Sequence, residues 1–550
     1  MRSEPQPVSS LEQVPRDEPA RSAWIAAELT RPAAWPFALE HVELRPTLIS
    51  QLFFAGERVY KLKRAVDLGY IDTRAAAERE RLCHEEVRLN APLAPGVHLG
   101  VVPVALGDDG HLHVEGDGPV VEWAVAMRRL DAERMLARLL ERDAVGEADV
   151  EAIAELLARF HAGCPTGDEV DAFGAPEAVA RVVLDNLAGL APFAVALDDA
   201  DWEARGALTP AAHAFLVAEA EGFLAREHAL FERRVREGRI RDGHGDLHAE
   251  NLCRGEAGWI AFDRLEFSRA LRCTDVAADL GFVAMDLDER GHPELAERLE
   301  RAYVARSGDR ELPRLSTFYR AYRALVRAKV AALTSRRGED VAARLDDARR
   351  HVHLALGYAL APTLVLVGGL PGTGKTFLAP HLARPLRARV VRSDVVRKQL
   401  AGLAPTTSAR AAYGAGLYTP EARARTYAAL REAAADELRA GRSVVVDASF
   451  TRAEQRAPFA ELAARLGVAC LAVEVEAPLE VVRARLAERA ARGTDASDAD
   501  LAVHLRAREG HEPPRAAEGL APVRVDSTRG SPQTLAARAL ERRLALAPTP

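Results

Sequence analysis

Eight consecutive residues, Gly369 to Thr376, read G-L-P-G-T-G-K-T, and their types suit one task, the holding of a polyphosphate. Gly372 and Gly374 let backbone N–H groups turn inward around an anion, where a β-carbon would obstruct them. Gly369, Leu370, Pro371 and Thr373 complete the loop. Lys375 is long enough to reach β- and γ-phosphate oxygens, and the Thr376 hydroxyl can ligate Mg²⁺. The flanks agree with this reading. The loop follows Thr363-Leu-Val-Leu-Val-Gly, a buried strand by pattern, and precedes Phe377-Leu-Ala-Pro-His-Leu-Ala, which can open a helix. A helix N-terminus there adds unpaired donors and a partial positive charge.

A second concentration of chemically useful residues lies upstream, in His244-Gly-Asp-Leu-His-Ala-Glu-Asn251 and in Trp259-Ile-Ala-Phe-Asp263 just beyond it. Composition sharpens both. Of 74 basic residues only five are lysine, at 61, 63, 329, 375 and 398, and asparagine occurs only at 90, 186 and 251. Where a basic residue serves as solvated charge, this chain uses arginine. A retained lysine therefore points to a need for a compact ammonium group rather than a planar guanidinium.

The upstream stretch resembles the catalytic loop of aminoglycoside-phosphotransferase-like kinases, relatives of the protein kinases, in which an Asp is followed five residues later by Asn and a second Asp ends a nearby strand. Asp246, Asn251 and Asp263 match that pattern. The resemblance implies that Asp246 accepts or orients the proton of a substrate hydroxyl, and that Asn251 and Asp263 hold Mg²⁺ against nucleotide phosphates. It also assigns a hairpin, Thr47–Phe54 and Arg58–Lys63 about a turn at Ala55-Gly56-Glu57, as the strand pair bearing the phosphate lysine. Lys61 is the expected contact, with Lys63 on the same face as the alternative. Glu86, in a charged helix predicted over Arg74–Asn90, is its expected partner, with Glu85 in reserve. The strand Glu122–Arg128 is expected to lead to the hinge where adenine sits. No G-x-G-x-x-G lies between the first strands, so clamping there falls to Thr47–Ser50 or to backbone groups.

The downstream half is similar to small P-loop kinases that phosphorylate hydroxyls, the gluconate-kinase-like enzymes and 5′-hydroxyl polynucleotide kinases among them. Predicted strands Arg389–Asp394, Arg442–Asp447, Leu471–Val475 and Val523–Asp526 alternate with helices, which implies a parallel sheet with ligands at the strand C-termini. The resemblance implies Asp394 as base or orienter, Arg397 as a substrate anion contact and Asp447 as a holder of the Mg²⁺ hydration shell. Arg485, Arg489 and Arg492 share one face of a predicted helix, Leu479–Arg492, and resemble a lid that closes arginines onto the transferred group. Gly493-Thr-Asp-Ala-Ser-Asp498 would be its hinge. Pro380 is expected to shorten or kink the helix after the glycine loop.

These readings imply a loosely ordered lead-in over 1–40, an α+β, two-lobed protein-kinase-like domain over 41–360, and an α/β P-loop domain over 361–550. A 48% hydrophobic, 28% charged composition is that of a globular chain with a sizeable core. The net charge of −7 gives no support for a general nucleic-acid or membrane surface. Five scattered cysteines without C-x-x-C spacing, and an N-terminus with no basic-then-apolar segment, fit a cytoplasmic protein with reduced thiols. The expected function is a phosphotransferase using ATP and Mg²⁺ at two sites, acting on an unidentified hydroxyl-bearing small molecule. One alternative makes the first domain a nucleotide- or metabolite-binding regulator. Another, a polynucleotide kinase, is opposed by the acidic balance and the lack of an aromatic-basic stripe.

Overall fold

The computed structural model describes residues 14–15, 17–68, 71–336, 338, 340–404, 419–492 and 499–546, with the side chains of 491 and 492 excepted. The chain forms two compact units. One comprises Met1–Val179, Ala229–Asp286 and Glu294–Pro313; the other comprises Ala180–His228, Leu287–Pro293 and Arg314–Pro550. The sequence division at residue 360 follows motifs, whereas these units follow packing.

The first unit is built on strands β1 (Glu43–Pro46), β2 (Ser50–Ala55), β3 (Arg58–Lys63), β4 (His98–Leu106), β5 (Leu112–Val114) and β6 (Val120–Arg128), in the order β1-β2-β3-β6-β4-β5 with antiparallel pairs throughout. Alternation along a strand sends neighbouring side chains to opposite faces. Tyr60 and Leu62 of β3 join a core with Phe53, Val104 and Ala126, completed by Ile25, Leu29 and Trp35. The lead-in expected to be loose is therefore ordered over much of its length. The helix Glu18–Leu29 seats two aliphatic side chains on the sheet, and the Trp35 indole N–H donates to the Leu29 carbonyl at 3.0 Å. Prolines bracket this helix, Pro19 in its first turn and Pro32 opening the 3-10 turn that follows.

The other face of the sheet is covered by the helix Ala76–Asn90, whose buried residues are Arg79, Leu82, Cys83, Glu86, Leu89 and Asn90. That spacing is a helical core stripe, but half its members are polar. Strands β7 (Ile240–Asp242), β8 (Leu252–Arg254), β9 (Trp259–Ala261) and β10 (Cys273–Asp275) form two short antiparallel ribbons, β7 with β10 and β8 with β9, that frame the His244–Asn251 loop. A sheet lobe with a helix on each face, and a mostly helical lobe carrying this loop, make the unit α+β and protein-kinase-like, as expected.

In the second unit, strands β11 (Thr363–Gly368), β12 (Arg389–Arg392), β13 (Val444–Asp447), β14 (Ala469–Glu476) and β15 (Ala521–Asp526) form a parallel sheet in the order β12-β13-β11-β14-β15. The central strand β11 is buried along its whole length, as a strand covered on both faces must be. Helices Pro420–Arg439 and Ala453–Leu466 pack one face around Leu430, Leu438, Phe459 and Leu462. The helix Lys375–Ala383 spans only nine residues with Pro380 inside it, so the proline is accommodated in a short helix. It packs with the helix Pro532–Leu544, which also meets the helices Val341–Ala359 and Pro210–Arg226. Trp202 seals that junction, its indole N–H donating to Thr534 Oγ1 at 3.0 Å while the Arg349 guanidinium lies 4.7 Å from its ring centroid. Among the described residues, no helix is long and apolar enough to cross a membrane.

Candidate active sites

In the first unit, β3 turns Lys61 and Lys63 toward the Ala76–Asn90 helix. Lys61 Nζ lies 3.0 Å from Glu86 Oε1 and 2.6 Å from Asp263 Oδ1. Lys63 Nζ touches the other Glu86 oxygen and Glu266 Oε1. Of the two candidate lysines, Lys61 is the one beside Asp263. Glu85, the reserve partner, faces outward and pairs with Arg88 at 2.7 Å. Burial opposes the charge on both lysines, but Asp263 and Glu86 beside Lys61 raise its pKa well above the usual range, and Glu86 with Glu266 raises that of Lys63. Against its own burial, Glu86 is held down to about 2 by the two ammonium groups.

The His244–Asn251 loop is fixed by its backbone. The Asp279 carboxylate accepts the His244 N–H at 2.6 Å and the Gly245 N–H at 2.9 Å, and Asp286 accepts the Ala249 N–H at 2.8 Å. His244 is buried, with Nε2 3.0 Å from the Phe262 carbonyl, and burial lowers its pKa to about 4. Asp246, at the apex, has its carboxylate 3.6 Å from His248 Nε2 and 37% exposed. Asn251 donates its amide N–H to the Asp246 carbonyl at 2.8 Å, which leaves Oδ1 as the atom for a cation. Asp263 has φ +62°, a left-handed conformation that Asp tolerates better than most residues, and its carboxylate is 43% exposed. Strain held at one residue is a recurrent mark of a functional position.

In the second unit, the loop leaves β11 between β13 and β14. Gly369, Gly372 and Gly374 all have positive φ. A β-carbon on Gly369 would stand 2.4 Å from the Val475 carbonyl oxygen. Pairing of Val367 with Asp447, and of Arg392 with Asp447, aligns the strand ends so that the carboxylate meets the loop. Thr376 Oγ1 donates to Asp447 Oδ2 at 2.8 Å, and Lys375 Nζ rests on the Leu370 carbonyl at 3.0 Å. Burial raises the Asp447 pKa, opposed by Lys375 and Thr376; burial lowers that of Lys375, opposed by Asp447 and Asp394. Both ions are thus under-compensated, a condition that a bound polyphosphate and cation would relieve.

Asp394 sits in the first turn of the helix Ser393–Leu400, not at a strand end as expected, because β12 stops at Arg392. An acidic residue is favoured at that helix end. Arg397, three residues on, pairs with it at 2.5 Å. Arg485 donates to the Thr373 carbonyl at 3.1 Å and to Ser527 Oγ at 2.8 Å, so it braces the glycine loop. Arg489 donates to the Ala499 carbonyl. The Arg492 side chain and the hinge expected over 493–498 lie outside the described residues.

The donor sets suit Mg²⁺. Among the described residues no group of three or more His, Cys, Asp or Glu is arranged to hold a metal. Each unit instead offers two oxygen donors, Asn251 with Asp263 and Thr376 with Asp447. That fits a hard cation that completes its shell with water and phosphate.

A protein of Mycobacterium tuberculosis, uncharacterized protein Rv2004c, is 34% identical over 473 residues, covering 85% of this chain and 90% of the relative. Uncharacterized protein Mb2027c of Mycobacterium bovis matches to the same extent. The chain belongs to the family of these mycobacterial proteins. Within it, residues 364–514 match the AAA domain family. Among solved structures, the chain is similar to a gluconokinase from Sinorhizobium meliloti at 21% identity (34% of this chain, 92% of that one, TM-score 0.25). It is also similar to a choline/ethanolamine kinase family protein from Mesorhizobium loti at 16% identity (60% of this chain, 97% of that one, TM-score 0.34).

Several residues at these sites escaped the sequence reading. Ser527 carries no local motif. His504, which meets the Pro371 carbonyl at 2.8 Å, and Tyr427, whose hydroxyl accepts the Phe450 N–H at 3.2 Å, come from helices distant in sequence. Asn90 did carry a signal, the scarcity of its residue type.

Proposed function

We propose that this chain is an ATP-dependent phosphotransferase with two Mg²⁺-nucleotide sites, one in each unit, that passes the γ-phosphoryl group to hydroxyl groups of small molecules. The observation that supports it best recurs in both units: a buried ammonium, Lys61 or Lys375, beside a carboxylate, Asp263 or Asp447, that is paired with one further oxygen donor. Bound ATP supplies the transferable group, and Mg²⁺ neutralises charge on its oxygens. The residues of the chain position and deprotonate. In the first unit Lys61, oriented by Glu86, binds phosphate oxygens, Asn251 and Asp263 hold the cation, and Asp246 takes the proton of the acceptor hydroxyl. In the second, the loop N–H groups and Lys375 cradle the phosphates, Thr376 and Asp447 hold the cation and its water, and Asp394, aligned by Arg397, accepts the hydroxyl proton. Arg485 keeps the loop in shape.

One observation favours a second reading, in which the first unit binds nucleotide without transferring from it. In the Thr47–Ser50 turn that replaces a glycine clamp, Thr47 spends its hydroxyl and N–H on Ser50, Oγ1 accepting the Ser50 N–H at 2.9 Å and the N–H donating to the Ser50 carbonyl at 2.8 Å. A metabolite-pool screen with γ-labelled ATP separates the two. Asp246→Asn is expected to abolish one labelled product and Lys375→Ala another, since loss of a general base alone costs ~10²–10⁴ in rate. If Asp246→Asn leaves every product unchanged, the first unit is not a transferase.

A further inference from the structure

Among the scarce lysines and asparagines that this function leaves unused, Lys63 and Asn90 converge on the four residues Asp263–Glu266. Asn90 is fully buried; its amide oxygen accepts the Arg264 N–H at 2.9 Å while its amide nitrogen donates to the Glu86 carbonyl one turn back. Lys63, whose side chain is 1% exposed, bridges Glu86 and Glu266. Arg264, which follows the strained Asp263, is therefore tied to the helix that carries Glu86, and Glu266, two residues further on, is tied to the same helix through an ammonium. Charge explains why a second lysine is needed. Glu86 alone would draw Lys61 fully to itself, since one buried carboxylate facing one ammonium is a closed pair. Lys63 satisfies the second Glu86 oxygen, and Glu266 in turn balances Lys63, so Lys61 is shared with Asp263.

We infer that Lys63, Glu266 and Asn90 are positioning residues of the first nucleotide site. They clamp the Asp263 segment to the Glu86 helix, so that the metal carboxylate and the phosphate lysine are set by one rigid unit. This inference rests on the reading of Lys61 and Asp263 as nucleotide-site residues. Each acts through Glu86 or the Asp263 segment, Lys63 being spent on Glu86 and Glu266 and Asn90 on the Arg264 N–H and the Glu86 carbonyl. Substitution of partners one shell out from a metal ligand commonly costs ~10–100-fold in affinity, and that is the effect expected here.

The test uses the full chain carrying Lys375→Ala, which leaves the first site to be read alone, titrated with MgATP and separately with ATP in EDTA. Lys61→Met in that background must remove the MgATP heat; if it does not, or if the background chain binds no MgATP, the functional reading falls and the inference with it. Given Lys61-dependent binding, the charge-balanced double variant Lys63→Met/Glu266→Gln is expected to weaken MgATP about tenfold or more. The loss is expected to be smaller in EDTA, because the clamp positions the metal carboxylate. Glu266→Asp, which keeps the charge and shortens the reach by one methylene, is expected to fall between, and it carries the test should the double variant fail to fold. Affinities are taken where circular dichroism shows the variants fully folded, so that a loss of stability alone leaves them unmoved. MgATP affinity within twofold of the background chain for a folded variant overturns the inference while leaving the functional reading intact.

Discussion

Asp279→Asn isolates the device that shapes the His244–Asn251 loop. The native carboxylate accepts two buried backbone N–H groups, from His244 at 2.6 Å and Gly245 at 2.9 Å, with His161 Nε2 3.4 Å away. The amide keeps one acceptor oxygen and presents a donor to the second N–H. One charge-assisted bond is lost, at ~1.5–3 kcal/mol, and the remaining one weakens because its acceptor is no longer ionised. Together these come to about 3 kcal/mol of local stability, or roughly a hundredfold increase in loop opening at 1.4 kcal/mol per decade. Hydrogen–deuterium exchange read by mass spectrometry on peptides spanning the loop measures it directly. Exchange should accelerate by roughly that factor over 243–251, while peptides from the parallel sheet of the second unit stay unchanged. Unaltered protection of the loop would refute the claim that Asp279 holds it.

Two further predictions concern each unit in turn. His244 titrates near 6.5 when unfolded but, buried, only at about 4 in the fold; the unfolded chain therefore binds the extra proton first, and stability present above pH 6.5 is lost as pH falls toward 4, by about 3 kcal/mol at most. Urea titrations of the first unit's loop exchange at pH 7 and pH 5 should show this loss in the parent and a smaller one in His244→Asn; equal pH dependence contradicts it. Gly372 has φ +82°, and a β-carbon there would stand 2.9 Å from Leu486 Cγ and Val482 Cγ1. The left-handed conformation alone costs alanine ~1–2 kcal/mol, so Gly372→Ala is expected to weaken ATP at the second site tenfold or more, read by titration of a Lys61→Met chain, and unchanged affinity tells against the loop geometry.

How much of this was legible in the sequence depended on distance along the chain. The glycine loop and the Asp246–Asn251 spacing were readable because their residues act within one turn or loop, where residue type fixes backbone geometry. Strand identities in the parallel sheet were readable from short apolar runs, three of them ending in Asp, but the end of β12 was not. Ser393 and Asp394 are as compatible with a helix N-terminus as with a strand end, and Arg389-Val-Val-Arg392 gives no stop signal. Burial of Trp35 and Ile25 was hidden because the sheet residues they pack against, such as Val104 and Ala126, lie far along the chain. The junction of Trp202 with Thr534 spans 332 positions, and no local periodicity records which distant helix will cover which. Glu266 was hidden for the same reason: its ion pair with Lys63 spans 203 positions, and no local pattern marks its far end.

The central claim is that one chain builds two separate nucleotide cradles, each around a buried lysine. Isothermal titration of the full chain with MgATP tests it most directly. Two molecules of MgATP per chain are expected for the parent, one for Lys61→Met, one for Lys375→Met, and none for the double variant. A single site in the parent, or a stoichiometry that ignores Lys61→Met, would contradict the account.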